Sequence, residues 1–433
     1  MKVLVIGGGG REHSIVRALS KSPRVTGLYC APGNGGISKD AVCLPVGATD
    51  INAAVRLAKE EKFDLVVVAP DDPLAMGLVD EMEKAGIRAF GPRKNAALIE
   101  SSKVFSKELM RKYGIPTAPY RTFTDPEKAV EYIRSHGVPL AVKADGLALG
   151  KGVTVAETVE EAEAAVRSLM EEKKFGDSGS AVVIEDFMTG PEVTVLAFTD
   201  GKAIAPMPPS RDHKRASDGN KGPNTGGMGA ICPAPGYTPE IADYCMKNIF
   251  RPTVDAMASE GRPFKGVLYF GLMLTPEGPK VIEYNARFGD PEAQAVLSLL
   301  ETDIADIFDA VIDRKLGETE IKWRNGAACC VVMASGGYPS GYKTDYEITG
   351  LSRIPENVYV YHAGTKLCGG KYLTAGGRVL GVTATADDLE SAVSSAYGGV
   401  AGISFKDAFY RKDIGRRNWV PAGLPEANSD VLR

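Results

Sequence analysis

In this 433-residue chain, the stretch KVIEYNARFGDPE (280–292) carries the residue types best suited to chemistry. Read as a strand, its period of two puts Val281, Glu283, Asn285 and Arg287 on one face and Ile282 and Tyr284 on the other. A carboxylate and an amide oxygen two residues apart suit Mg²⁺, which takes few protein oxygens and completes its shell with substrate phosphates. Arg287 adds a guanidinium fork for a carboxylate or phosphate. The competing reading is a polar strand face that ends in a turn.

Glycines mark two further candidate sites. GGGGREH (7–13) joins an apolar run to a helical pattern, where backbone N–H groups and the helix dipole favour an anion. It fails the dinucleotide spacing, because the sixth position is Glu12 or His13, and no acid ends the strand through Leu28 and Tyr29. A nicotinamide dehydrogenase is therefore disfavoured, and a tight packing turn stays open. DGLALGKG (145–152) resembles a Walker loop, yet only three residues separate Gly146 from Gly150, and Lys151 precedes Gly152 rather than a hydroxyl. Flanked by LAVKA and GVTVA, it reads as a hairpin tip able to close over phosphates. Lys143 sits inside the apolar LAVKA, where an unpaired ammonium is costly; a phosphate partner or snorkelling from a sheet edge would each relieve it. Lys103, one turn into a helix with Ser101 as candidate cap, either assists an anion or is an exposed helix lysine.

IEDFMTGPE (184–192) places Glu185 at a strand end, with Phe187 and Met188 on a link that could hold adenine and Glu192 within reach of ribose hydroxyls. SRDHKRASDGNKGPNTGGMGA (210–230) mixes basic residues with glycine and reads as a long loop, either solvated or functional.

These residues need a scaffold, and the first hundred residues supply a regular one. KVLVIG (2–7), RVTGLYCAP (24–32), DLVVVAP (64–70) and IRAFGP (87–92) alternate with helical patterns, which predicts an α/β unit with a parallel sheet and ligands at its strand ends. From Ser101 helices and longer strands mix; beyond Asn325 short strands and hairpins dominate. The expected breaks fall near 100 and 325. Lys+Arg 51 against Asp+Glu 55 gives a net charge of -4, weak support for nucleic acid or an anionic membrane. No apolar run approaches the roughly 20 residues of a membrane helix, and the start reads as a buried strand rather than a secretory signal. Seven Cys without C-x-x-C and four scattered His exclude zinc spacing and fit reduced thiols in the cytoplasm.

In order, VIGGGGREH, APGNGG, KADGLALGKGV, SRDHKR, GPNTGGMGA and EYNARFGDPEAQ closely resemble the phosphoribosylamine–glycine ligase (glycinamide ribonucleotide synthetase) family across nearly the whole chain. The resemblance implies an α/β (α+β) chain with an ATP-grasp fold: a pre-ATP-grasp domain at 1–100 with a parallel sheet, an ATP-grasp domain at 101–325 with a lid at about 120–190, and a small β-rich domain at 326–433. It implies ATP as co-substrate with Mg²⁺ or Mn²⁺, and glycine and 5-phosphoribosylamine as the other small-molecule partners, with a monomer among the expected states. By the same resemblance Lys103, Lys143, Gly146, Gly150, Lys151, Gly152 and Lys214 serve the nucleotide phosphates, and Glu185, Phe187 and Glu192 its adenosine. Glu283 and Asn285 match metal ligands; Gly9, Asn34 and Asp71 the phosphoribosylamine pocket; Asp212 and Arg287 glycine contacts. Lys143, Asp212 and Arg287 form the implied catalytic group. The strand LYFGLMLT (268–275), where many ATP-grasp enzymes carry an acid, has none until Glu277, so water is expected to complete the metal's shell. The rival readings are another ATP-grasp carboxylate–amine ligase, a carboxylase component, or a non-catalytic nucleotide-binding regulator.

Overall fold

Four apolar runs at the start of the chain form most of a five-stranded parallel sheet. The computed structural model describes residues 1–147, 152–172 and 179–416, so Gly150 and Lys151 lie outside the described residues. In spatial order the strands are Val42–Cys43, Gly27–Pro32, Lys2–Gly7, Leu65–Val68 and Ala89–Phe90. The order reverses at Lys2–Gly7, so a crevice opens beyond its carboxyl end and that of Leu65–Val68. Gly8–Gly10 and Asp71 follow directly from those two ends.

A second sheet is antiparallel, in the order Ile204–Pro206, Glu192–Asp200, Lys265–Thr275 and Gly278–Asn285. A third comprises Tyr120–Phe123, Val182–Asp186, Leu140–Ala144 and Val153–Ala156, covered by helices Pro126–His136 and Val159–Met170. It keeps a core of its own, with Val130, Ile133, Val142, Val166 and Ile184 buried together. The parallel and antiparallel sheets instead share one apolar cluster, in which Val3, Val5 and Phe90 meet Phe198, Tyr269 and Phe308. Each such side chain stabilises the joint by about 1.5–3 kcal/mol when fully buried. The third sheet is thus the unit least tied to the rest by apolar packing.

The stretch 210–230 is not the loop its composition suggests. Arg211–Asp212 and Gly229–Cys232 join Ala327–Ala334, Arg378–Ala386 and Val358–His362 in a five-stranded antiparallel sheet, while Arg215–Ser217 and Lys221–Asn224 form a hairpin beside it. Short, glycine-rich strands gain their hydrogen bonds from residues far along the chain, such as Cys330 opposite Ala230, so local composition does not reveal them. Among the described residues no helix is long and apolar enough to cross a membrane, and all seven cysteines are free thiols.

Candidate active site

Where these sheets meet lies a cavity of about 410 Å³. Its floor is the strand Gly278–Asn285. A bulge at Ile282 breaks the alternation there: Leu272 pairs with Val281, but Gly271 pairs with Glu283. Val281 therefore turns into the core with Tyr284, and Ile282, Glu283 and Asn285 line the cavity. The expectation that Val281 shares a face with Glu283 is corrected by that one extra residue. Opposite, Gly271 leaves room that a side chain would close, since a Cβ there would stand 3.2 Å from Glu283 Cγ.

Glu283 makes no hydrogen bond with a described residue. Burial opposes its charge, but Lys214, Lys103, Lys143 and Arg287 surround it and hold its carboxyl below the usual range. Asn285 Oδ1 accepts a 3.4 Å hydrogen bond from Arg287. The described residues hold no cluster of three His, Cys, Asp or Glu side chains placed for a metal. Glu283 and Asn285 together fit a hard cation that draws its remaining ligands from phosphate and water. Glu277 sits at the far hairpin turn, bonded to Thr275 and Lys280, and Tyr269 occupies the cavity wall of the neighbouring strand.

The lysines come from two other elements. Helix Lys103–Tyr113 is capped by Ser102, whose Oγ accepts from Phe105 N; Ser101 belongs to the preceding helix, so the expected cap moves by one residue. Asp145, at the base of the glycine loop, accepts from both Ser102 Oγ and Val104 N, tying that loop to the helix start. Lys103 donates to Gly146 O at 3.3 Å, and burial pulls its ammonium down despite Glu283 nearby. Lys143, buried on strand Leu140–Ala144, neither snorkels nor waits unpaired. It lies 2.9 Å from Glu185 Oε2 and donates to Ile282 O at 3.1 Å. The Glu185 carboxylate is thereby occupied by lysine. Gly152 closes the loop by accepting from Ala144 N.

A small neighbouring hollow contains Asp212, Lys214 and Glu192 and shares Tyr269 and Glu283 with the main cavity. Lys214 stands 3.6 Å from Asp212 and 3.5 Å from Glu192. Burial pushes the Asp212 carboxyl up while Lys214 pulls it back, and its buried Oδ1 has no hydrogen-bond partner among the described residues. Arg287 has the complementary defect. Its terminal nitrogens bond Glu100 at 3.0 Å and Phe288 O at 3.1 Å, but its buried Nε has no partner among the described residues. The charge of Glu292 acts on both of these groups.

On the N-terminal side, Gly9 caps helix Gly10–Leu19 and donates its N–H to Glu12 Oε2 at 2.6 Å, so Glu12 already fills part of the anion cradle. Gly7 has φ +122°, and a Cβ there would sit 2.5 Å from Glu12 Cγ; only glycine fits. Asn34 donates to Gly8 O and His362 O and accepts from Gly36 N and Ile37 N, which uses its whole side chain for holding the loop. Asp71 does line the cavity. Burial opposes its charge, yet the Arg287 and Arg11 guanidiniums keep its carboxyl below the usual range. Gly9 and Asn34 lie outside the cavity lining, and Phe187 is exposed beyond its strand end.

Several lining residues escaped the sequence reading: Lys107, Tyr269, Glu292, Tyr338 and Arg378. Lys107 had a local signal, standing one helical turn from Lys103 on the same face, and Glu292 closes the stretch 280–292. Arg378 comes from the last large sheet and donates to Gly226 O at 2.6 Å and Asp290 O at 2.7 Å, pairing also with the Asp290 carboxylate.

Three family models match the chain in succession: the phosphoribosylglycinamide synthetase N domain at 1–100, the ATP-grasp (A) domain at 101–293 and the C domain at 328–417. The chain belongs to the phosphoribosylglycinamide synthetase family. Its ATP-grasp fold follows from that membership, as the ordered motifs implied. A phosphoribosylamine–glycine ligase of Caldanaerobacter subterraneus is 45% identical over 414 residues, covering 96% of this chain and 99% of the relative. The trifunctional purine biosynthetic protein adenosine-3 of Gallus gallus is 50% identical over 425 residues, and the match spans only 42% of its length. Among solved structures, the phosphoribosylamine–glycine ligase of Thermotoga maritima superposes with a TM-score of 0.84 at 32% identity, covering 96% of this chain and all of that one.

Proposed function

We propose that the chain ligates glycine to 5-phosphoribosylamine, converting ATP to ADP and phosphate and releasing glycinamide ribonucleotide. The observation that supports this best is the pair of orphan groups: Asp212 Oδ1 suits an ammonium, and the Arg287 Nε–H suits a carboxylate. A zwitterionic amino acid carries a group for each of them.

A carboxylate has too poor a leaving group to react with an amine. One glycine oxygen therefore attacks the γ-phosphorus, ADP leaves, and glycyl phosphate forms. Lys103, Lys143 and Lys214 are positioned to offset the charge spreading over the phosphoryl oxygens. Glu283 and Asn285 would hold a divalent cation, which would supply positive charge against the nucleotide phosphates. The amine of phosphoribosylamine then attacks the acyl carbon, Arg287 stabilises the oxyanion, and phosphate departs. The sheet that carries the glycine loop, which keeps a core of its own, would close to keep water from the acyl phosphate. We assign glycyl transfer to the crevice between Asp71 and Arg287, adenosine to the side of Glu185, Phe187 and Glu192, and the reaction to a reducing cytoplasm. The seven free thiols suit that compartment.

The deciding assay is ADP release with glycine and freshly generated phosphoribosylamine, each omitted in turn. Release that needs both is the expected result; release indifferent to both removes the assignment. Asp71→Asn tests the division of labour. It deletes a charge facing Arg287 and Arg11 in the N-terminal crevice, so the KM for phosphoribosylamine should rise roughly tenfold, the scale of one charged hydrogen bond. Nucleotide affinity should stay as in the parent by calorimetry. Lost ATP binding would put the nucleotide on that side of the cavity.

A further inference from the structure

We propose that Lys107 is a positioning residue for nucleotide binding: it shares the Glu185 carboxylate with Lys143 and so leaves Lys143 free to turn to a phosphate. The proposal rests on the nucleotide-binding part of the reading above, and not on which acid or amine is joined.

Two ammoniums converge on one oxygen. Lys107 Nζ is 3.1 Å from Glu185 Oε2, and Lys143 Nζ is 2.9 Å from the same atom. All three side chains are buried, with relative exposures of 2%, 4% and 2% for Lys107, Lys143 and Glu185. Their placement follows from two registers. Strand Leu140–Ala144 pairs with Val182–Asp186 so that Ala141 faces Glu185, which puts Lys143, two residues on, on the same face. Helix Lys103–Tyr113 lays Lys107 against that face from the other side.

The two lysines are not equivalent. Lys107 is fixed twice more: it donates to Thr117 Oγ1 at 2.7 Å, which in turn donates to Val281 O, and it lies 5.4 Å over the Tyr120 ring. Among the described residues Lys143 has only Ile282 O besides the shared carboxylate. Lys107 is therefore the anchored member and Lys143 the one able to move. A buried trio of two cations and one anion carries a net positive charge, which an incoming phosphate can neutralise. When Lys143 turns to that phosphate, Glu185 keeps Lys107 and is never left buried alone, an outcome that would be costly. Without Lys107, Lys143 and Glu185 form a closed neutral pair, and a phosphate must break it to gain its ligand.

The test measures Mg·ADP affinity by calorimetry in four proteins: parent, Lys107→Met, Glu185→Gln and the double variant, each with a thermal melt. Lys107→Met keeps length and apolar bulk, and should weaken ADP roughly ten- to a hundredfold, the scale of one charged hydrogen bond. The KM values for the other two substrates should not move. In the Glu185→Gln background there is no carboxylate to trap Lys143, so adding Lys107→Met should leave ADP affinity unchanged. That arm also avoids an unpaired buried carboxylate and keeps the test open where the single variant does not fold. A folded Lys107→Met with parental ADP affinity overturns the proposal. So does an equal weakening in both backgrounds, which would mean that Lys107 acts on the nucleotide directly or through general packing. ADP binding needs neither glycine nor phosphoribosylamine, so a failed ligation assay would sink the functional reading and leave this result intact.

Discussion

Glu283→Gln is expected to lower turnover on the order of a hundred- to a thousandfold, the cost of removing one preorganised charge from a reacting site. The carboxylate is ionised because four cations outweigh its burial, and it is their common counter-charge. Glutamine keeps the shape and one oxygen but loses that charge. Two losses then coincide: a weaker donor for the cation, and Lys103, Lys143, Lys214 and Arg287 facing one another uncompensated. The chain should still fold, because Glu283 makes no hydrogen bond with a described residue and opens onto the cavity, but it should melt earlier for the lost counter-charge. The measurement is steady-state turnover across Mg²⁺ concentrations, with ADP affinity read in the presence and absence of Mg²⁺. In the variant the Mg²⁺-dependent part of ADP affinity should shrink. Near-normal turnover at saturating Mg²⁺, with that increment intact, would take Glu283 out of the cation's site.

The contrast between Glu283 and Lys107 shows what a sequence carries. Glu283, Asn285 and Arg287 stand within five residues of one another on a strand, and strand geometry alone brings them to one surface. The parallel sheet was legible for a similar reason, since strands covered on both faces are written as unbroken apolar runs such as Leu65–Val68. What local reasoning could not reach depends on a partner elsewhere. The bulge at Ile282 is set by pairing with Lys265–Thr275, and it alone moves Val281 away from Glu283. Strand Gly229–Cys232 exists because Ala327–Ala334 lies beside it. The resemblance puts Asn34 in the phosphoribosylamine pocket, and nothing local shows that its side chain makes four hydrogen bonds to the backbone. For Lys143 the apolar strand alone leaves a phosphate partner and snorkelling open, and its Glu185 partner comes from the pairing of two strands distant in sequence.

Arg287 allows the structural and chemical parts of a side chain to be separated. Its Nη2 lies 3.0 Å from Glu100, which also accepts from Ala286 N at 2.7 Å and is otherwise enclosed. Arg287→Met removes the counter-ion of a buried carboxylate, and such a break costs about 3–5 kcal/mol. Burial already raises the Glu100 carboxyl in the parent, with Arg287 pulling the other way, so the variant raises it further. A folded-state pKa above the unfolded one means that the folded chain binds the extra proton. The Met variant should therefore come nearest to parental stability below the ordinary carboxylate value of 4.5 and lose stability as pH rises through the raised folded value. Melting curves over that range report it. Arg287→Lys keeps a charge for Glu100 and should melt close to the parent, but it lacks the planar fork and the buried Nε–H. Its cost should appear in the chemistry instead, as a higher glycine KM together with a kcat lower by roughly a hundredfold. If the Lys variant turned over normally while the Met variant merely melted early, Arg287 would be the counter-ion of Glu100 and nothing more, and the oxyanion would need another donor.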